Sequence, residues 1–230
     1  MKKASLYSFL SIIFFAFCQS LLAQDFSYKR DFQEILERSR DSSDVLFHNK
    51  LMKKYQANDT TLSNFEMLAL MINYTQSEHY TPYAILDSET AIAELNGIED
   101  HQRAIQLCDS LLETHPFNQA ILFEKALAHY ELDQADSAQF YRYRFNQIMD
   151  AMSYSGKGTS TENAIFSLGS KDGHRYIVNR LSQQITKVGA GQDDDGNMID
   201  IIETVDEGEG IRIMHFQIQH AVNTLFEQKK

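Results

Sequence analysis

The sequence predicts an α+β chain in which an array of helical hairpins, residues 24–153, precedes a small, mostly antiparallel α+β domain, residues 154–230. Three observations carry this. Within residues 97–150, Ala104 and Ala138 are spaced by the period of a tetratricopeptide array, about 34 residues. Near Tyr154 the helical periodicity stops at a run of small and polar residues, "SYSGKGTSTEN". Beyond it, residues 198–205 and 211–218 alternate apolar and polar side chains, the pattern of a strand pair.

Residues 1–23 read as a signal peptide. Lys2 and Lys3 form a positive start, residues 6–17 are apolar, and cleavage after Ala23 leaves Gln24 first. A lipid anchor through Cys18 is disfavoured, because Phe17 stands where such a signal needs a small residue. The expected destination is periplasmic or secreted, with no integral membrane segment after cleavage. Cleavage leaves Cys108 as the single cysteine, placed on the apolar face of its helix and expected to be buried.

The helices follow in order. Residues 31–39 put Phe32, Ile35 and Leu36 on one face. Residues 45–55 turn Leu51, Met52 and Tyr55 inward. Ser63 with Glu66 three residues later is a capping box for the apolar helix 64–76, expected to be central. Pro82 is expected in the first turn of a helix running to Leu95, with Asn96-Gly97 closing it through a left-handed cap. The repeat follows: Cys108, Leu111 and Pro116 fall at motif offsets from Ala104, and Leu122, Ala126 and Tyr130 form an i, i+4, i+8 stripe. Phe140, Tyr141, Tyr143, Phe145, Ile148 and Met152 make an aromatic last helix packed on two sides, with Arg142 and Arg144 solvated between them.

In the second part "AIFSLGS" and "ITKVGAG" have strand character, and "DGHRYIVNRLSQQ" reads as a short helix. The strand pair is expected to cover one face with Ile199, Ile201, Ile211 and Ile213, joined by the hairpin loop "DEGEG". Residues 220–228 close the chain as a helix packing through Ala221, Val222, Leu225 and Phe226.

Charge excludes some functions. Asp and Glu number 32 against 21 Lys and Arg, a formal net charge of −11, so the chain has no footprint for nucleic acid or anionic lipid. "SGKGTS" lacks the earlier glycine and the preceding strand of a phosphate loop. "GQDDDGNMID" resembles a calcium loop, with Asp193 and Asp195 as candidate metal ligands. Its first and twelfth positions, Gly191 and Ile202, supply no carboxylate, so any calcium site is weak and no other cofactor is implied. His101, His115 and His129 recur at even intervals, but on different helical elements. No catalytic residue set emerges. The most site-like cluster is Glu78, His79, Tyr80 and Tyr83, with Lys157 on the Gly156 turn across a possible ligand cleft.

The segments "LALMINYTQSEHYTPY", "AIQLCDSLLETHPFNQAILFEKALAHYELDQADSAQFY", "SGKGTS", "AIFSLGS" and the closing "IRIMHFQI" resemble the DUF4919 domain family. That resemblance covers nearly all of the chain after residue 23. It implies an exported protein of Bacteroidetes, with a signal peptide, a tetratricopeptide-like helical part and a small C-terminal part. Three places depart from the family pattern: residues 70–73, Lys157 and Met214-His215. The resemblance implies no activity and transfers no functional residue.

The expected function is therefore a non-enzymatic exported scaffold of the cell envelope that binds a protein or peptide. The alternatives are an envelope enzyme with its site in the cleft between the two parts, and a weak calcium or small-ligand module.

Overall fold

The structure, a computed structural model, describes residues 26–206, 208 and 210–227; the expected signal peptide, with Cys18 and Ala23, lies outside them. Among the described residues seven helices come first: α1 (Tyr28–Arg40), α2 (His48–Gln56), α3 (Asn64–Tyr74), α4 (Leu86–Gly97), α5 (His101–Leu112), α6 (Gln119–Glu131) and α7 (Ala135–Ser155). Then come β1 (Ile165–Phe166), α8 (Ser170–Arg175) running into a π-helical turn (Tyr176–Arg180), β2 (Gln184–Gln192), β3 (Met198–Asp206), β4 (Gly210–Gln217) and α9 (Gln219–Glu227). A tetratricopeptide-like helical region thus precedes a smaller mixed α+β region, as the sequence predicts. Among the described residues no helix is long and apolar enough to cross a membrane.

The capping box forms at α3: Ser63 Oγ accepts from the Glu66 amide at 3.2 Å, and Glu66 Oε2 accepts from the Ser63 amide at 2.8 Å. Met67 through Ile72 are all buried, because α1, α2 and α7 pack around this helix. The second helix starts at His48 rather than at residue 45, since Asp44 Oδ1 accepts from the Leu46 amide and holds a turn there. The fourth starts at Leu86, four residues after Pro82, which lies in the preceding turn. Gly97 remains helical, and the left-handed residue that ends α4 is Glu99.

Arg144 is not solvated. Its guanidinium donates to Asn58 Oδ1 at 2.9 Å and to the Tyr55 and Gln56 carbonyls, and it lies 4.7 Å from the Tyr55 ring centroid. A cation at the end of α2 satisfies carbonyls that the helix leaves open. Arg142 is exposed as expected.

The sheet order is β1-β4-β3-β2, with β1 parallel to β4 and the other pairs antiparallel. The covered face is not the one that Ile211 and Ile213 occupy; these are 69% and 52% exposed. Ile202, Met214 and Phe216 point into the core instead. Isoleucines at 199, 201 and 202 lie on both sides of β3, so alternation alone leaves the face ambiguous. The approach of α8 decides it: a Cβ at Gly173 would stand 2.9 Å from the Phe216 ring, so only glycine lets α8 lie this close. On α9, Ala221 packs inward while Leu225 and Phe226 are exposed.

One hydrophobic core runs through both parts, joining Phe32, Leu68 and Met152 to Phe166, Ile177 and Phe216. A smaller one, with Ile92, Ala104, Cys108, Ile121 and Ala128, holds α4, α5 and α6 together.

Candidate functional site

Where the helical part meets the α+β part, the structure opens a narrow cleft between the 74–82 segment, α4, the 115–118 turn and residues 168–175. Space inside it for a water-sized occupant is about 40 Å³, room for one or two waters rather than for a nucleotide or sugar. Its floor is ionic. Arg175 donates from Nη2 to Glu89 Oε2 and from Nη1 to Asp172 Oδ1 at 3.4 Å. Asn118 Nδ2 donates to the other Glu89 oxygen at 2.7 Å, and the Gly169 amide donates to Asp172 Oδ2 at 3.0 Å. Burial pushes the Asp172 carboxyl up to about 6, with Arg175 pulling the other way.

Tyr80, Tyr74 and His115 are also bonded inward. Tyr80 donates its hydroxyl to the Leu168 carbonyl, and Tyr74 donates to the Thr114 carbonyl at 3.0 Å. His115 hydrogen-bonds with Thr114 Oγ1 at 2.8 Å and Thr81 Oγ1 at 3.2 Å. Side chains bonded to each other in this way clamp the two parts together.

Of the residues expected in a cleft, Tyr80 lines this one. Glu78 and His79 carry exposed side chains beside each other, Tyr83 is half-buried near Asp200, and Lys157 is exposed on the turn before β1. The floor is built by Glu89, Asp172 and Arg175, and the first and last of these lie 86 positions apart in the chain. No local motif marks them.

The candidate metal ligands sit in the β2–β3 turn. Asp193 Oδ1 accepts from the Asp195 and Asn197 amides at 3.0 and 2.8 Å, closing the turn on itself. Asp195 pairs with Lys29. Among the described residues no group of three or more His, Cys, Asp or Glu side chains is placed to hold a metal ion. Cys108 is buried, its thiol directed at the Ile121 carbonyl at 3.7 Å, and burial pushes it up to about 12. A thiol held there stays protonated and unreactive.

A second concave feature differs in kind. Between α6 and α7 lies an open groove walled by Phe123, Leu127 and Tyr130 on one side and by Ala135, Ala138, Arg142 and Phe145 on the other. Ala126 forms its floor, and water-sized space within it is about 370 Å³. The Leu122–Ala126–Tyr130 stripe is therefore not a packing face along its length: Leu122 is buried, but Tyr130 is 69% and the neighbouring Phe123 42% exposed. Large apolar side chains facing solvent in one groove mark an interaction surface more than scattered ones do.

No curated protein and no solved structure matches the chain. A family model described as a domain of unknown function, DUF4919, matches residues 33–226, which takes in both the helical region and the sheet. Over this span the chain belongs to the DUF4919 family.

Proposed function

We propose that the protein is a non-enzymatic, exported scaffold of the cell envelope that binds a protein or peptide partner. The observation that supports this best is the open α6–α7 groove, which gathers exposed aromatics over a floor of small residues. Glu89, Asp172 and Arg175 in the interdomain cleft are bonded to one another, which favours a clamp there over a reaction centre. Export follows from the apolar stretch of residues 6–17 and the Ala23 site, in keeping with the resemblance to exported proteins of Bacteroidetes.

A photo-crosslinking residue at position 130 tests the binding reading in the cells that make the protein. The control carries the same residue at the exposed position 45. A discrete protein adduct from position 130 alone is expected, and its absence overturns the reading. Export is checked separately by sequencing the N-terminus of the envelope-fraction protein, where Gln24 is expected first.

A further inference from the structure

The internal repeat shows what the groove is shaped for. Shifting by one repeat period, the step from Ala104 to Ala138, also carries Glu89 to Phe123, Ile92 to Ala126, Asn96 to Tyr130 and Cys108 to Arg142. The first member of each pair sits on the α4–α5 hairpin and meets α6. Glu89 accepts from Asn118 at 2.7 Å, Asn96 donates to the Glu124 carbonyl at 3.0 Å, and Cys108 faces the Ile121 carbonyl at 3.7 Å. Ile92 and Ala104 are fully buried in the same cluster as Ile121 and Ala128. The second members line the open groove. So α6 fills the seat on the first hairpin, and the equivalent seat on the second is vacant among the described residues. Asn96 and Tyr130 show the contrast, at 8% and 69% exposure.

We propose that this groove seats one amphipathic helix of a partner protein, laid parallel to α6 as the first helix of a third hairpin would be. The inference rests on the protein-binding reading above and specifies the partner's chemistry. The direction follows from the array, in which short turns reverse each helix so that α4 and α6 run the same way. Phe123 and Tyr130 replace the polar Glu89 and Asn96 of the first hairpin, so the occupant presents an apolar stripe instead of hydrogen-bonding groups. Ala126, Ala135 and Ala138 let its backbone come close. The Phe123-to-Tyr130 wall is about 10 Å long at the helical rise, or two turns, and α6, which fills the equivalent seat on the first hairpin, has 13 residues, so the occupant is a helix of about that length.

Charge sets the ends. The turn beside Tyr130 carries the exposed acids Glu131, Asp133 and Asp136, where the occupant's C-terminus would lie. Arg142 lines the groove toward its other end. Cations favour a helix C-terminus and anions its N-terminus. The fitting helix therefore has acidic residues in its first turn and basic ones in its last.

The test is selection from a displayed library of helical peptides of that length against the purified protein. The expected winners carry apolar or small residues at helical spacing, acidic at the start and basic at the end. Their binding falls roughly tenfold or more on Tyr130→Ala, a surface change that leaves folding alone, and on Ala138→Glu. Winners without helical spacing, or with undiminished binding to both variants, overturn the proposal. A stable dimer in sedimentation that Ala138→Glu dissociates overturns it in favour of a second copy as occupant. A crosslink from position 130 with no peptide selected defeats the helix while leaving the scaffold reading standing. Absence of both defeats the two together.

Discussion

Glu99 and Asp133, one repeat period apart, hold the same left-handed backbone at the ends of α4 and α6, with φ of 62° and 57°. The bonds around them match. Asp100 N donates to Leu95 O and Gln134 N to His129 O, each at 2.9 Å, and the Glu99 and Asp133 amides donate one step inside. Both ends are Schellman closures in which the left-handed position, usually glycine, is a carboxylate residue. The repeat is thus written in backbone conformation as well as in Ala104 and Ala138.

Left-handed geometry strains a residue with a Cβ, so Glu99→Gly is expected to stabilise the protein by about 1 kcal/mol, and Asp133→Gly by less, because a short carboxylate side chain tolerates this conformation better. Asn58 takes the same conformation at the end of α2, with φ of 50°. Asparagine tolerates it better, and Asn58→Gly also removes the Oδ1 that accepts from Arg144, so it is expected to gain nothing. Urea midpoints decide this; equal gains at all three sites would sink the ranking.

Arg175→Met is expected to cost about 3 kcal/mol, since it leaves the buried Glu89 and Asp172 carboxylates without their cation. Glu89→Leu in the same chain restores part of that loss by removing one stranded charge. A double variant as unstable as the sum of the singles would show that the pair does not couple the two parts.

Asp200 lies on the covered face of β3 with Oδ2 unpartnered, and burial pushes its carboxyl from 3.8 up to about 6. The folded state therefore keeps a proton that the unfolded chain releases between pH 4 and 6, so this group's contribution falls as pH rises through that window. Asp200→Asn is expected to be more stable than the parent by about 2 kcal/mol at pH 7 and nearly equal at pH 4. A difference independent of pH would assign the effect to packing instead.

His220 has the opposite sign. Its Nε2–H donates to the Ser167 carbonyl at 2.7 Å, its ring stacks on Phe166 at 4.5 Å, and burial lowers it from 6.5 to about 4. As pH falls from 6.5 toward 4 the unfolded chain gains a proton that the folded one refuses, and stability drops by about 3 kcal/mol. His220→Gln keeps a donor for Ser167 and is expected to lose that acid-side decline. Parallel pH–stability profiles for parent and variant would refute this.

Local chemistry in the sequence was enough to place α3, whose capping box and apolar run need no distant partner, and to place Cys108 in a core. The spacing of Ala104 and Ala138 likewise announced the hairpins. Elsewhere the deciding forces were remote. Arg144 looks like a solvated residue until α2 brings three oxygen acceptors to it from 86 to 89 positions away. The face of β3 turned on Gly173, because only a glycine there admits Phe216.

The sequence by itself determined the order of elements, the change from helices to sheet near Tyr154, and the family. These depend on periodicity, capping and turn residues that act over a few positions. Tertiary structure alone decided that Glu89, Asp172 and Arg175 meet, and that Tyr80 joins them without Glu78, His79 or Lys157. It alone decided that the stripe from Leu122 to Tyr130 starts in the core and ends in open solvent. The reason is physical: a repeat fixes how each hairpin faces its neighbour, but whether a neighbour is there depends on where the chain goes next, and after α7 it turns into the sheet.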